Sequence, residues 1–118
     1  MISWATQSNF ASNAKSLYVD TQHSALALRK PSISMADLHT VCGVLLVEAQ
    51  AANSSLPTPD AQATKLLSGA YADLGAGANQ CYRAASNLAT RATAIASLAK
   101  GVALLAEATA RIATTSLP

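Results

Sequence analysis

The chain has 118 residues, enough for one domain with one core. Hydrophobic residues make up 51% of it, aromatics 4% and charged residues 12%, and the net charge is +2. That balance excludes the basic footprint of a nucleic-acid-binding protein, and so few aromatics leave little for base stacking.

Much of the apolar content is alanine, the best helix former, whose small side chain lets helix axes approach closely. With few charges, the surface must be built largely from Ser, Thr, Asn and Gln, a composition that suits an exported protein. The unbroken apolar run Val44-Leu45-Leu46-Val47 falls far short of the roughly 20 residues a membrane span needs. No transmembrane segment is expected. Met1-Ile2-Ser3-Trp4 has no basic segment followed by an apolar core. An export signal would therefore have to lie upstream of these residues.

The first predicted helix covers residues 6–29. Phe10, Ala14, Leu17, Thr21, Ala25 and Leu28 recur at spacings of three and four, which makes one apolar stripe. Arg29 and Lys30 complement the dipole at its end, and Pro31 stops it. The second helix starts after Ser34, whose side chain can cap a backbone N–H near Asp37. Its stripe is Leu38, Val41/Cys42, Leu45, Ala49 and Ala52. Asn53, a residue that tolerates the left-handed conformation, is expected to close it.

Leu56-Pro57-Thr58-Pro59-Asp60 then divides the chain into two helical hairpins. Thr58 is the expected N-cap, Pro59 fits the first turn and Asp60 suits the positive end of the dipole. Leu56 is expected to plug the end of the bundle, with Trp4 capping it. The third helix covers residues 59–85. Its stripe, Ala63, Leu67, Ala70, Leu74, Gly77, Cys81 and Ala84, alternates steps of four and three. Ser86-Asn87 makes a turn and the next cap. The fourth stripe is Leu88, Ala92, Ile95, Leu98, Val102, Leu105, Thr109 and Ile112, with Arg91, Lys100, Glu107 and Arg111 off it. The expected fold is all-α: a single domain over residues 1–118, four helices packed as an antiparallel up-down-up-down bundle.

Cys42 and Cys81 both lie on core stripes. Two buried thiols would satisfy that pattern, because cysteine is often a small core residue. A disulfide requires the two to come level. Cys42 lies roughly 16 Å before the end of its helix and Cys81 roughly 33 Å into the next. A loop of six extended residues climbs roughly 18 Å, which closes the difference. The even cysteine count and low-charge surface favour the disulfide, and with it an oxidising compartment.

Cys42, then Leu56-Pro57-Thr58-Pro59-Asp60, then Tyr71 and Cys81 together resemble exported, often lipid-anchored, helical-bundle proteins of actinobacteria that have no assigned function. The resemblance covers roughly the last two thirds of the chain. It implies a compartment and a fold, not a chemistry.

No catalytic residue is identified. There is no nucleophile elbow and no phosphate loop after a strand. His39-Thr40-Val41-Cys42-Gly43 resembles the H-x-L-K-G motif of histidine phosphotransfer domains, but Cys42 stands where the charge-neutralising Lys belongs. His23 and His39 lack ligand spacing with other donors, so no metal is expected. A di-iron centre needs four carboxylates and two Glu-x-x-His pairs, whereas Glu48 and Glu107 are the only glutamates. Two cysteines do not make a thiolate-lined copper store. Gly69, Gly75 and Gly77 cost helix stability and imply close approach of something, most simply a neighbouring helix. If a ligand or partner surface exists, Tyr71, Gly75, Gly77 and Tyr82 mark it. The expected protein is thus an exported, non-enzymatic binding or structural module without a cofactor, acting on a protein or a small apolar ligand. A phosphotransfer bundle using His39 and a metal- or haem-binding bundle are the alternatives.

Overall fold

The computed structural model describes residues 1–116. Among these there are five helices and no strand: α1 (Ile2–Gln7), α2 (Phe10–Leu28), α3 (Met35–Asn53), α4 (Ala61–Ala84) and α5 (Leu88–Thr115). The all-α expectation holds. The count of four changes because the first predicted helix is broken at Asn9, which is left-handed (φ 57°). Asparagine enters that region more readily than most residues. The break folds α1 back, so that the Trp4 ring lies 5.7 Å from that of Phe10. The Trp4 indole N–H donates to the Ser55 carbonyl at 3.0 Å. Trp4 and Leu56 are half-buried against the core, as the sequence led us to expect.

The caps follow local chemistry. The Ser34 hydroxyl accepts from the Asp37 N–H at 3.1 Å, and the Asn87 side chain accepts from the Thr90 N–H at 3.0 Å. Two expectations are corrected. Asn53 ends α3 in a helical conformation, and the chain leaves through a right-handed Ser54. The N-cap of α4 is Asp60, not Thr58, because a carboxylate there meets two donors at once. Asp60 accepts from the Ala63 N–H at 2.9 Å and is gripped by the Arg111 guanidinium at 2.9 and 3.0 Å. Arg111, and then the Ala63 N–H, hold the Asp60 carboxyl down at about 2. Thr58 is buried instead, and its hydroxyl accepts from the Asp60 N–H at 3.0 Å.

The molecule measures 50 × 20 × 18 Å. Each long helix packs on its neighbour in the chain, and α2 also meets α5. The α4–α5 contact is the most extensive and the α2–α5 contact is sparse. Glycines explain the first. A Cβ on Gly77 would sit 2.7 Å from Leu98 Cδ2, and one on Gly101 would sit 2.7 Å from Leu74 Cγ. Each helix thus drives a leucine into a glycine notch of the other, which fits ridge-into-groove packing at short axial distance.

This seam rotates α5 relative to its expected stripe. Arg91, Ala94, Leu98, Gly101, Leu105, Ala108 and Ile112 are buried, whereas Leu88 is 73% exposed. The smallest residues, not the largest, select the tight face. Arg91, expected at the surface, is 5% exposed. Its guanidinium donates to the Ala85 carbonyl at 2.6 Å and the Lys30 carbonyl at 2.9 Å, tying the end of α2 to the α4–α5 turn. The outward face of α5 is largely alanine and threonine. As a result, α5 is long and apolar enough to cross a membrane, with a mean hydropathy of 1.3 and 28% of the stretch buried. Length and composition alone give that property, and here the helix packs along α4 as part of the bundle.

The glycines differ in what substitution would do. Gly77→Ala should lower the unfolding free energy by about 1–3 kcal/mol, because overpacking outweighs the gain in helix propensity. A Cβ added at Gly75 would meet nothing within 4 Å, so Gly75→Ala should raise it by about 0.5–1 kcal/mol. Urea denaturation of the two variants checks both signs.

Candidate ligand-binding cleft

Cys42 and Cys81 form a disulfide, with Cα atoms 5.7 Å apart and both residues fully buried. Cys81 lies twenty residues beyond the start of α4, while Cys42 lies eleven before the end of α3. The seven-residue connection 54–60 supplies the difference in height. The bond fastens α3 to α4.

The four residues marked as a ligand or partner surface do not come together. Tyr71 and Gly75 line a groove of about 540 Å³ between α3 and α4. Tyr71 is nearly enclosed there, and burial pushes its phenol up to about 12. Tyr82 lies further along α4, stacked on His39 with ring centroids 4.1 Å apart. Gly77 faces the other way, under Leu98. Helix packing therefore accounts for Gly77, while Gly75 is open to the groove. His39 is half-buried against Tyr82, and its neighbour Cys42 is committed to the disulfide. Among the described residues no three His, Cys, Asp or Glu side chains group as metal ligands.

A larger apolar opening lies where α2 and α5 stand apart. Its first part, about 360 Å³, is lined by Tyr18, Thr21, Gln22 and Arg29 of α2 and by Ile95 and Val102 of α5. A second part of about 690 Å³ shares Tyr18 with the first and is walled by Ile2, Phe10, Ala14, Lys15 and Ile112. Local sequence creates the gap. The facing positions Ala25 and Ala99 carry only methyl groups. The middle of α2's buried face is Thr21 and Ser24 instead of large apolar residues. Both hydroxyls are buried without a hydrogen-bond partner. An unpartnered buried hydroxyl costs about 1–3 kcal/mol; Thr21 lines the cleft, but its hydroxyl oxygen is itself enclosed.

Sequence reasoning placed Thr21 on the buried stripe but not in a cleft. It placed Arg91 outside the core. Arg91 stands three and seven positions before Ala94 and Leu98, a spacing that would have flagged it had alanine been weighted as a core residue. Comparison of the chain with protein families, curated proteins and solved structures found no match.

On the opposite side of α2, Glu48 of α3 lies beside Asp20, and the Asp20 carboxylate is 3.9 Å from His23 Nδ1. Burial, and then the Asp20 carboxyl, push Glu48 up to about 7. The folded state therefore holds a proton on Glu48 that the unfolded chain, near 4.5, releases. Stability should be highest below about pH 4.5 for this group and fall as pH rises toward 7. With one pKa unit worth about 1.4 kcal/mol and solvent screening part of the shift, the loss should be of order 1 kcal/mol. Glu48→Gln should flatten that slope in denaturation curves taken across the window.

Proposed function

We propose that this chain is a non-enzymatic binding module of an oxidising, extracytoplasmic compartment, a disulfide-stapled up-down-up-down bundle that takes an apolar ligand between α2 and α5. The observation that carries the reading is the α2–α5 cleft, a mainly apolar opening with Tyr18 on its wall and no acidic residue lining it. Apolar concavities with a few polar groups are where small molecules bind. The disulfide supports the compartment, since such bonds persist where thiols are not kept reduced. The low-charge surface and the resemblance to exported actinobacterial bundles point the same way. Short connections and contacts between chain neighbours support the antiparallel order of the four long helices.

The compartment and the cleft are tested separately. Protein isolated from its native cells without reductant should weigh two hydrogens less than the reduced chain and contain no alkylatable thiol. Two free thiols in that material would overturn the extracytoplasmic assignment. Reducing the bond, which closes a loop across a separation of 39 residues, should lower stability by about 4 kcal/mol by chain entropy alone. For the cleft, a neutral solvatochromic dye such as Nile red should bind saturably at one site. Ala99→Trp, which fills the opening, should abolish that binding while the circular dichroism spectrum stays helical. Absence of saturable binding by the unmodified chain would remove the binding reading.

A further inference from the structure

The cleft has a charge pattern that narrows the ligand. Two charged side chains line it, Lys15 and Arg29, and both are cations. None of the six acidic residues of the chain does so. Among the described residues neither cation has an ion-pair partner, since the two ion pairs present use His23 with Asp20 and Arg111 with Asp60. Arg29, Gln22 and Thr21 all border the first part of the cleft. Thr21 is 5% exposed and its hydroxyl lacks an acceptor. Beyond Thr21 the walls turn apolar through Tyr18 and Ala14 to Phe10. From Thr21 to Phe10 is eleven helical steps, about 17 Å.

We infer, resting on the binding reading above, that the ligand is a free anionic single-chain amphiphile of the fatty-acid kind. Its carboxylate lies at the Arg29 guanidinium, beside Thr21 on the cleft wall, and its chain runs past Tyr18 toward α1. The carboxylate supplies the anion that Arg29 lacks. A guanidinium–carboxylate contact of this sort is a charge-assisted pair, stronger than a neutral hydrogen bond. The chain covers apolar walls, and each methylene taken from water contributes about 0.8 kcal/mol. A compact polar ligand would leave that length of cleft unfilled.

The test is isothermal titration of the oxidised chain at pH 7 with dodecanoate and with dodecyl alcohol, both below their aggregation limits. Dodecanoate should bind at one site about tenfold more tightly than the alcohol, a difference of ~1.4 kcal/mol. Arg29→Ala should remove that preference, and Lys15→Ala should leave it. Equal affinity for acid and alcohol would overturn the anionic head group while sparing the apolar cleft. Loss of preference in the Lys15 variant instead of the Arg29 variant would overturn its location. Association with anionic phospholipid vesicles but not with dispersed dodecanoate would overturn the free amphiphile. Binding of neither probe would overturn this inference together with the reading beneath it.

Discussion

The reciprocal fit of Leu98 over Gly77 and Leu74 over Gly101 is the constraint on which the rest of the structure depends. Glycine in a helix interior is unfavourable by about 1 kcal/mol relative to alanine, so these positions are explained by what they admit. They let α4 and α5 approach until leucines from each enter the other. Dispersion between close-packed atoms is small per contact and large in sum. The seam therefore sets the rotation of α5, buries Arg91 and turns Ile95 and Val102 toward α2. Arg91 in turn holds the carbonyl of Lys30, which fixes where α2 ends.

The disulfide completes a rigid unit by fastening α3 to α4. With α4 engaged by α5 on one side and by α3 on the other, α2 remains the least tightly held long helix. Its buried face combines Phe10, Leu17 and Leu28 with Thr21 and Ser24. Those two hydroxyls find no acceptor in the fold, so the middle of α2 contributes less than a row of leucines would. The cleft follows from this imbalance. A bundle that spends its small residues on one seam, and places alanine and threonine across another, closes the first and leaves the second open.

The α4 stripe was readable in the sequence because large and small residues agreed on one face, and every one of its seven positions is buried. The level crossing of Cys42 and Cys81 was readable by counting helical rise against the length of the Pro57–Pro59 connection. The face of α5 was legible only at Leu98, Leu105 and Ile112, because alanine is equally at home in a core and on a surface. Reading by the largest side chains pointed to Leu88, Ile95 and Val102, whereas the glycine seam selects their smaller neighbours. The break at Asn9 was hidden for another reason. It depends on Trp4 reaching Ser55, a contact 51 residues away along the chain. The cleft was illegible because it arises from helices that fail to meet, and periodicity within each helix does not report a gap between two of them. Tyr71 and Gly75 did mark a groove, between α3 and α4. Grouping them with Gly77 failed because two steps along a helix move a side chain to a different face.

A stapled α3–α4–α5 unit thus carries a loosely seated α2, and the space between α2 and α5 is available for that mechanical reason. Native-state amide hydrogen exchange tests this most directly, because local opening reports the free energy that holds each segment. The slowest exchange is expected at the amides around Leu74, Gly77, Leu98 and Gly101, close to the global unfolding limit. Amides around Thr21 and Ser24 should exchange through a smaller opening with the seam intact. Equal protection of α2 and of the α4–α5 seam would contradict a loosely seated α2, and so would an α4–α5 seam that opens before α2.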